Sequence, residues 1–458
     1  MKKSLQYLVV LLVGISLMLS ACQPAATTNA QEPAGNGEGQ AAADDAPAAG
    51  QETVTLRFLK INDELEAQAF SEMVEAFHQI EDGKWAYVNI EYDAKPFAEL
   101  FPSIEKSVAT DSQIDIIQAD GPDVKHFAYN GVLVDLTDYF TEDELGIWDS
   151  QSVEEGSAGG KFYAPPETQS CQLLWYNADM LNEAGIDVSS TAGWTYGDDG
   201  TALANWQKLT QDTNGDGTPE VFGLANSGPW DYFQRIPSRT NGVPGDATYT
   251  GIADDGITFS GYFDSDAAIE AYQFQQDMVM EYKVMSAEET ANQMLSGLAA
   301  TTIYQDMIMG TQADQFPDFN MGAIEPPYFV TPLCQTGSWH YGIASNTKYF
   351  DEALAFVKFA SSDEGAKFIW KYKSQIPANI NLLNTLTDFQ EVPARKLMSD
   401  FMLSNGVNRI QTPAYTEYNS LFTEFFNTLV SGEPVEDLAH EYAELMDESA
   451  AKYAGWNE

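Results

Sequence analysis

The sequence predicts an α/β protein of two doubly wound lobes joined by a hinge of several strands, and three features predict it. The chain has 458 residues, more than one hydrophobic core ordinarily holds. From Thr53 onward, period-two and helical apolar patterns alternate in the order β, α, β, α, β, which implies parallel strands with helices packed on the sheet. Gly159 to Asn177 then reads as an extended passage, with a glycine pair, the proline pair Pro165 and Pro166, and the apolar strand Cys171 to Tyr176. Proline fixes its own φ and donates no ladder hydrogen bond, so a proline pair suits a crossover between lobes rather than a strand centre.

Taken in order, the chain opens with Lys2 and Lys3 ahead of an apolar run from Leu8 to Leu19, the make-up of an export signal. The run closes on Leu19, Ser20, Ala21 and Cys22, the pattern of a lipoprotein cleavage site in which the Cys22 thiol is acylated; an ordinary signal peptide with an incidental cysteine is the other reading. Residues 23–52 are rich in Ala, Gly, Gln, Pro and Glu without apolar periodicity, so they form a flexible tether. Thr53 to Leu59 is the first strand. Leu65, Ala69, Met73, Phe77 and Ile80 recur at helical spacing, with Asn62 as the cap. Val88, Ile90 and Tyr92 mark a second strand, Phe97 to Val108 a second helix and Ile114 to Gln118 a third strand.

Beyond the crossover, Ala178 to Ala184 is a short helix stopped by Gly185, and Leu203 to Leu209 is another. Asp264 caps a helix through Ile269, Tyr272, Gln276 and Val279; Gly297 to Ile303 is a small-residue strand. Met321 to Cys334 is proline-broken and extended, a return passage. Asp351 to Ala360 is amphipathic, and helices carrying Leu421, Phe425 and Leu429, then Val435, Leu438, Tyr442 and Leu445, finish the chain.

The segments "GGKFYAPP…LLWYNADMLNEAGID" and "DIIQADGPDVKHFAYNGVLVDLTDYF" resemble those of extracellular solute-binding proteins of sugar-type ABC transporters. So do the strand running into Tyr304, the Gly337 to Ile343 segment and "SQIPA" at 374–378. The resemblance implies a periplasmic-binding-protein type II-like fold. Its first lobe comprises 53–163 and 338–388, and its second 164–337 and 389–458. It implies a non-enzymatic, monomeric lipoprotein on the extracytoplasmic face of the membrane, with no cofactor. There it captures a sugar or oligosaccharide between lobes and passes it to a membrane permease. An extracellular glycan hydrolase, or a ligand-binding partner of a membrane sensor, are the alternatives.

Composition sets limits. With 69 acidic and 22 basic residues the net charge is −47, which repels nucleic-acid backbones. No phosphate-cradling loop, GxSxG motif or Cys/His dyad occurs. Sugars show apolar C–H faces and polar rims, so a binder needs flat rings with carboxylates or amides around them. Ligands of doubly wound sheets sit beyond the carboxyl ends of strands. Candidate rings are Trp175, Trp194, Trp230, Tyr232, Tyr304 and Trp339; candidate rim acids are Glu64, Asp120, Glu167 and Asp306. Asp120 reads equally as a turn former ahead of Pro122. Asp212, Asn214, Asp216, Thr218 and Glu220 have the spacing of a calcium loop, or of a plain surface turn, and the twelfth position is Gly223 rather than Glu. Cys171 and Cys334, each on a crossover in an oxidising compartment, form either a disulfide or two buried thiols.

Overall fold

A computed structural model describes residues 52–228, 237–337 and 339–457. The leader with Cys22, nearly all of the tether, and Trp230 and Tyr232 lie outside the described residues.

In the first sheet, β1 (Val54–Ile61) runs parallel to β2 (Val88–Lys95) on one side and β3 (Ile116–Asp120) on the other. The intervening helices, α1 (Glu64–Phe77) and α2 (Phe97–Ala109), cover opposite faces because β1 is apolar in both directions. Leu56 and Phe58 pack with Phe70, Met73 and Phe77 of α1. Leu59 joins Leu100 and Ile104 of α2.

Two local expectations shift. The cap of α1 is Asp63, whose carboxylate accepts from the Leu65 and Glu66 amides; Asn62 instead prolongs the strand by donating to Lys95 O. The third strand starts two residues later than the apolar pattern suggests, because its register is set by Phe58 lying opposite Ile116.

Gly159 and Gly160 are the turn of a small hairpin between β4 (Ser157–Ala158) and β5 (Lys161–Phe162), not the point where the chain departs. Both have positive φ, +56° and +74°, which glycine adopts without steric cost. Departure comes at the prolines, where Tyr341 N donates to Pro165 O and Pro166 bridges to His340.

The second sheet is mixed. Its β6 (Leu173–Asn177) is antiparallel to β8 (Ala299–Tyr304) and β9 (Met321–Ile324), with β7 (Phe222–Leu224) parallel to β8 at the edge. Leu174, Trp206, Tyr272, Phe422 and Ala443 belong to one core, so the helices Asp266–Met280, Tyr415–Leu429 and Val435–Ala450 close over this sheet. The first of these is capped by Ser265, which accepts from Ala268 N, while Asp264 accepts from Gly261 N one turn earlier.

The chain returns through β10 (Cys334–Thr336) and β11 (Trp339–Ile343). β11 joins the first sheet antiparallel to β3, and β10 pairs in parallel with β12 (Gly406–Asn408). A separate apolar cluster of Cys171, Leu173, Trp175, Ile308, Cys334, Ile376 and Phe401 fills the junction. Cys171 and Cys334 are bonded within it, their α-carbons 5.4 Å apart. No helix of the described residues is long and apolar enough to cross a membrane.

Candidate ligand cleft

Three passages between the lobes run side by side. Gln169 N donates to Ile376 O (2.8 Å), Glu167 N to Trp339 O (2.8 Å) and Ser170 Oγ to Gly337 O (2.5 Å). They bring the carboxyl ends of the two sheets to one junction, the region that the strand-end rule marks for ligands.

On the first lobe, Trp339 lies opposite Asp120 across the β3–β11 pair and is half-buried. Its ring meets Phe97 edge-on, with centroids 6.1 Å apart and planes at 78°. Phe97 is 39% exposed and Leu65 is 48% exposed, large apolar groups left uncovered just past the ends of β2 and β1. On the second lobe Tyr304 ends β8 and is 42% exposed; the Trp175 indole fixes its backbone by donating to Tyr304 O (2.8 Å). Beside it lies a cavity of about 280 Å³ lined by Asn226, Ser227, Glu289, Thr302, Tyr304 and Met307 among others.

Of the expected rings, Tyr304 and Trp339 are therefore accessible at the strand ends. Trp175 and Trp194 are not: both are sealed in apolar cores, Trp194 against Trp206, and a ring without an open face cannot stack on a ligand.

The expected rim acids divide differently. Glu64 is exposed in the first turn of α1. Asp120 is buried and gripped through both oxygens by Arg409, with Nη1 2.8 Å from Oδ2. Next to it Asp123 is pushed up by burial and by the Asp120 charge.

Glu167 is buried in a polar network. Gln118 Nε2 donates to Glu167 Oε2 (2.9 Å) and to Glu66 Oε2 (3.2 Å), and Glu66 is held by Lys60 (3.0 Å) and Lys373. Lys373 also reaches Asp63 (3.3 Å), so each cation of this group already has an anion. Burial, then the Glu66 charge, push Glu167 up to about 8. Asp306 is likewise buried; it accepts from Ile376 N (2.9 Å) and lies 3.9 Å from Arg395. Burial pushes it up to about 6 against the pull of Arg395. These three carboxyls fasten passages together rather than line an open rim: Asp120 and Asp306 face arginines, while Glu167, whose neutral form burial favours, is hydrogen-bonded to Gln118.

In the Asp212–Glu220 loop the oxygens turn inward. Asp212 accepts from Gly215 N (2.6 Å) and Gly217 N (2.8 Å), Asn214 from Asp216 N (2.8 Å) and Asp216 from Thr218 N (2.8 Å). Glu220 is spent on Thr213 and Asn214. No group of three or more His, Cys, Asp or Glu placed to hold a metal occurs among the described residues.

With this geometry in place, sequence comparison decides the family: the model for bacterial extracellular solute-binding proteins matches residues 62–367. The chain belongs to that family. No curated relative matches it in sequence. Solved structures of other solute-binding proteins share its fold. An ABC substrate-binding protein from Listeria monocytogenes in complex with cycloalternan superposes with a TM-score of 0.71 at 18% identity, over 87% of this chain and all (100%) of that one. The cyclic α-maltosyl-1,6-maltose binding protein of Arthrobacter globiformis gives 0.71 at 18%, over 87% and 100%. The maltose/maltodextrin-binding domain from Bdellovibrio bacteriovorus bound to maltotriose gives 0.70 at 18%, over 87% and 100%. Membership makes the protein an extracytoplasmic solute-binding protein.

Phe97, Met307 and the pairing of Arg409 with Asp120 escape sequence reasoning. The strand-end rule applied to β2 and β8 would have marked the first two. The third joins residues 289 apart in the chain, and no local signal announces it.

Proposed function

We propose that this solute-binding protein captures a sugar or oligosaccharide between its lobes and hands it, chemically unchanged, to the permease of an ABC importer. The observation that carries the reading is the pair of uncovered aromatic surfaces at the strand ends, Phe97 with Trp339 on one lobe and Tyr304 on the other. Flat rings suit the C–H faces of pyranoses, and the Asn226, Ser227 and Thr302 lining suits hydroxyls. The solutes named for the similar structures, cycloalternan and maltotriose, are of this class. The burial of Asp120 and Asp306 against arginines, and of Glu167 behind Gln118, favours binding over hydrolysis, because a glycosidase needs two carboxyls open to the glycosidic bond.

Capture shifts the lobes toward closure by whatever affinity the closed state has in excess of the open one. The protein acts as a monomer, anchored through acylated Cys22 with the residue 23–52 tether as spacer; loss of labelled palmitate from Cys22→Ser would check the anchor. The Asp212–Glu220 loop serves as a surface turn.

The deciding experiment is a thermal-shift series with maltotriose and cycloalternan, since a ligand at 100 times its Kd adds about 2.7 kcal/mol to the folded state. Chromatography afterwards should return the sugar intact. Trp339→Ala should weaken binding about tenfold, the scale of one lost ring contact. No shift with any oligosaccharide would overturn the sugar reading, and a cleaved product would overturn the binding one.

A further inference from the structure

Among the described residues, Glu289 is the one charged side chain lining the cavity beside Tyr304. No cation lines the cavity with it, and no described donor engages its carboxylate. The carboxyls nearer the crossovers differ: Asp120 faces Arg409, Glu66 faces Lys60 and Lys373, and Asp306 lies near Arg395. Glu289 is nonetheless placed rather than loose. Its carboxylate lies against Gly228, just past β7, where a Cβ would collide with it, so glycine alone leaves it room. Gly228 N in turn donates to Asn226 Oδ1 (2.9 Å).

Neighbouring polar groups of the cavity are largely spent on one another. Asn226 Nδ2 donates to Ser286 O (3.0 Å) and Ala287 O (3.2 Å), and Gln293 Oε1 accepts from Asn226 N (3.0 Å). The Ser227 and Thr302 hydroxyls lie 3.3 Å apart, and each oxygen keeps acceptor capacity beyond that bond. The apolar side of the cavity is the Tyr304 ring with the exposed Met307 thioether. Ring and acid face the same space: burial first, and then the Glu289 charge, push the Tyr304 hydroxyl up.

Three kinds of guest can be weighed against this lining. A metal ion needs several oxygen ligands, and a single carboxylate does not supply them. A neutral group would strip water from Glu289 as it settled and leave the charge unpaired, which is costly. A protonated amine pairs with the charge, has further N–H donors for the Ser227 and Thr302 oxygens, and is drawn to the face of a tyrosine ring. We propose that this cavity reads a protonated amine on the solute, with Glu289 selecting for an amino-sugar unit. The amine follows from the cavity; the sugar half rests on the proposed capture of a sugar.

The test is calorimetry at about pH 6, below the range of an ordinary amine, with glucosamine, glucose, maltotriose and spermidine. Glucosamine and glucose differ by one group, an ammonium in place of a hydroxyl. Glucosamine should bind about tenfold tighter or more, the scale of one charge-assisted hydrogen bond. E289Q should level the two. E288Q removes the same charge from the exposed neighbouring residue, which does not line the cavity, and should keep the preference. That control separates the site from the general pull of a net charge of −47 on any cation. Glucosamine binding no better than glucose, while maltotriose still binds, would overturn the amine and leave the sugar reading standing. A preference that survives E289Q would overturn the role of Glu289. Spermidine binding as tightly as glucosamine would overturn the amino-sugar assignment, and a protein that binds none of the sugars would sink both readings.

Discussion

At the carboxyl end of the first sheet ionisable side chains are dense and mostly buried in pairs: Lys60 with Glu66, Lys373 with Glu66 and Asp63, Arg409 with Asp120. At the corresponding end of the second sheet the lining is nearly neutral, with Asn226, Ser227, Thr302, Tyr304 and Met307 around one carboxylate, Glu289. The difference separates two tasks. Lys373 and Arg409 both come from chain that has left the first sheet and passes back against it, so the paired charges tie the passages to β3 and α1, and Glu167 adds a hydrogen bond from Gln118. A chain with 22 basic residues against 69 acidic ones places several of its scarce cations there, inside the junction. Charge beside a cleft is thus evidence about how the walls are held, while uncovered rings and neutral polar groups are the better guide to what the walls hold.

The sharpest way to break this contrast is Arg409→Met. It strands Asp120, with Glu155 only 4.0 Å from the guanidinium, and removal of one partner from a buried pair costs about 3–5 kcal/mol. Urea unfolding that shows less than about 1 kcal/mol would place Asp120 among the exposed acids after all. Replacing Cys171 and Cys334 together by serine should lower stability by about 2–4 kcal/mol, since the bond closes a loop of 163 residues.

Glu167→Gln has a sign that depends on pH. The folded chain holds the Glu167 proton up to about 8, far above the unperturbed range near 4.3, so the folded state binds the proton more tightly between those values. Stability is therefore lost as pH climbs through that window. Glutamine removes the loss, and melting curves should show the variant ahead by about 1–2 kcal/mol near pH 8 and level with the parent near pH 4.

On the neutral wall, Tyr304→Ala should leave stability within about 1 kcal/mol yet weaken maltotriose binding about tenfold by calorimetry. A large loss of stability instead would mean that this wall, too, is structural. Smallest of all, Asp212→Asn should change stability by no more than about 0.5 kcal/mol, and calcium or a chelator should leave the melting temperature where it was.

Much of the scaffold is readable from residue order. β1, β2 and their helices follow from apolar spacing; the prolines at 165 and 166 mark the passage; and two cysteines on neighbouring passages foreshadow their bond. Strand ends were less legible: β3 begins at Ile116 rather than Ile114 because partners, not periodicity, fix where pairing starts. Caps slipped by one residue at Asp63 and Ser265 for a similar reason, two capping-competent side chains standing next to each other. The site was legible only in part. Tyr304 was legible as an accessible ring because the small-residue strand runs straight into it, and Trp339 because it opens the strand of the segment that resembles the family's return to the first lobe. Trp175 was misjudged because an indole can anchor a neighbour's carbonyl from inside the core as well as stack at a surface. Asp120 and Glu167 carry no local trace of Arg409 or Gln118, whose approach depends on the completed fold.

The Cys171–Cys334 bond has a mechanical corollary. Two of the three connectors are riveted to one another beside the second sheet and hydrogen-bonded to the third through Gln169 and Ile376. Such a bundle flexes as a single leaf spring, because a covalent tie and the hydrogen bonds beside it oppose the sliding of one member past another.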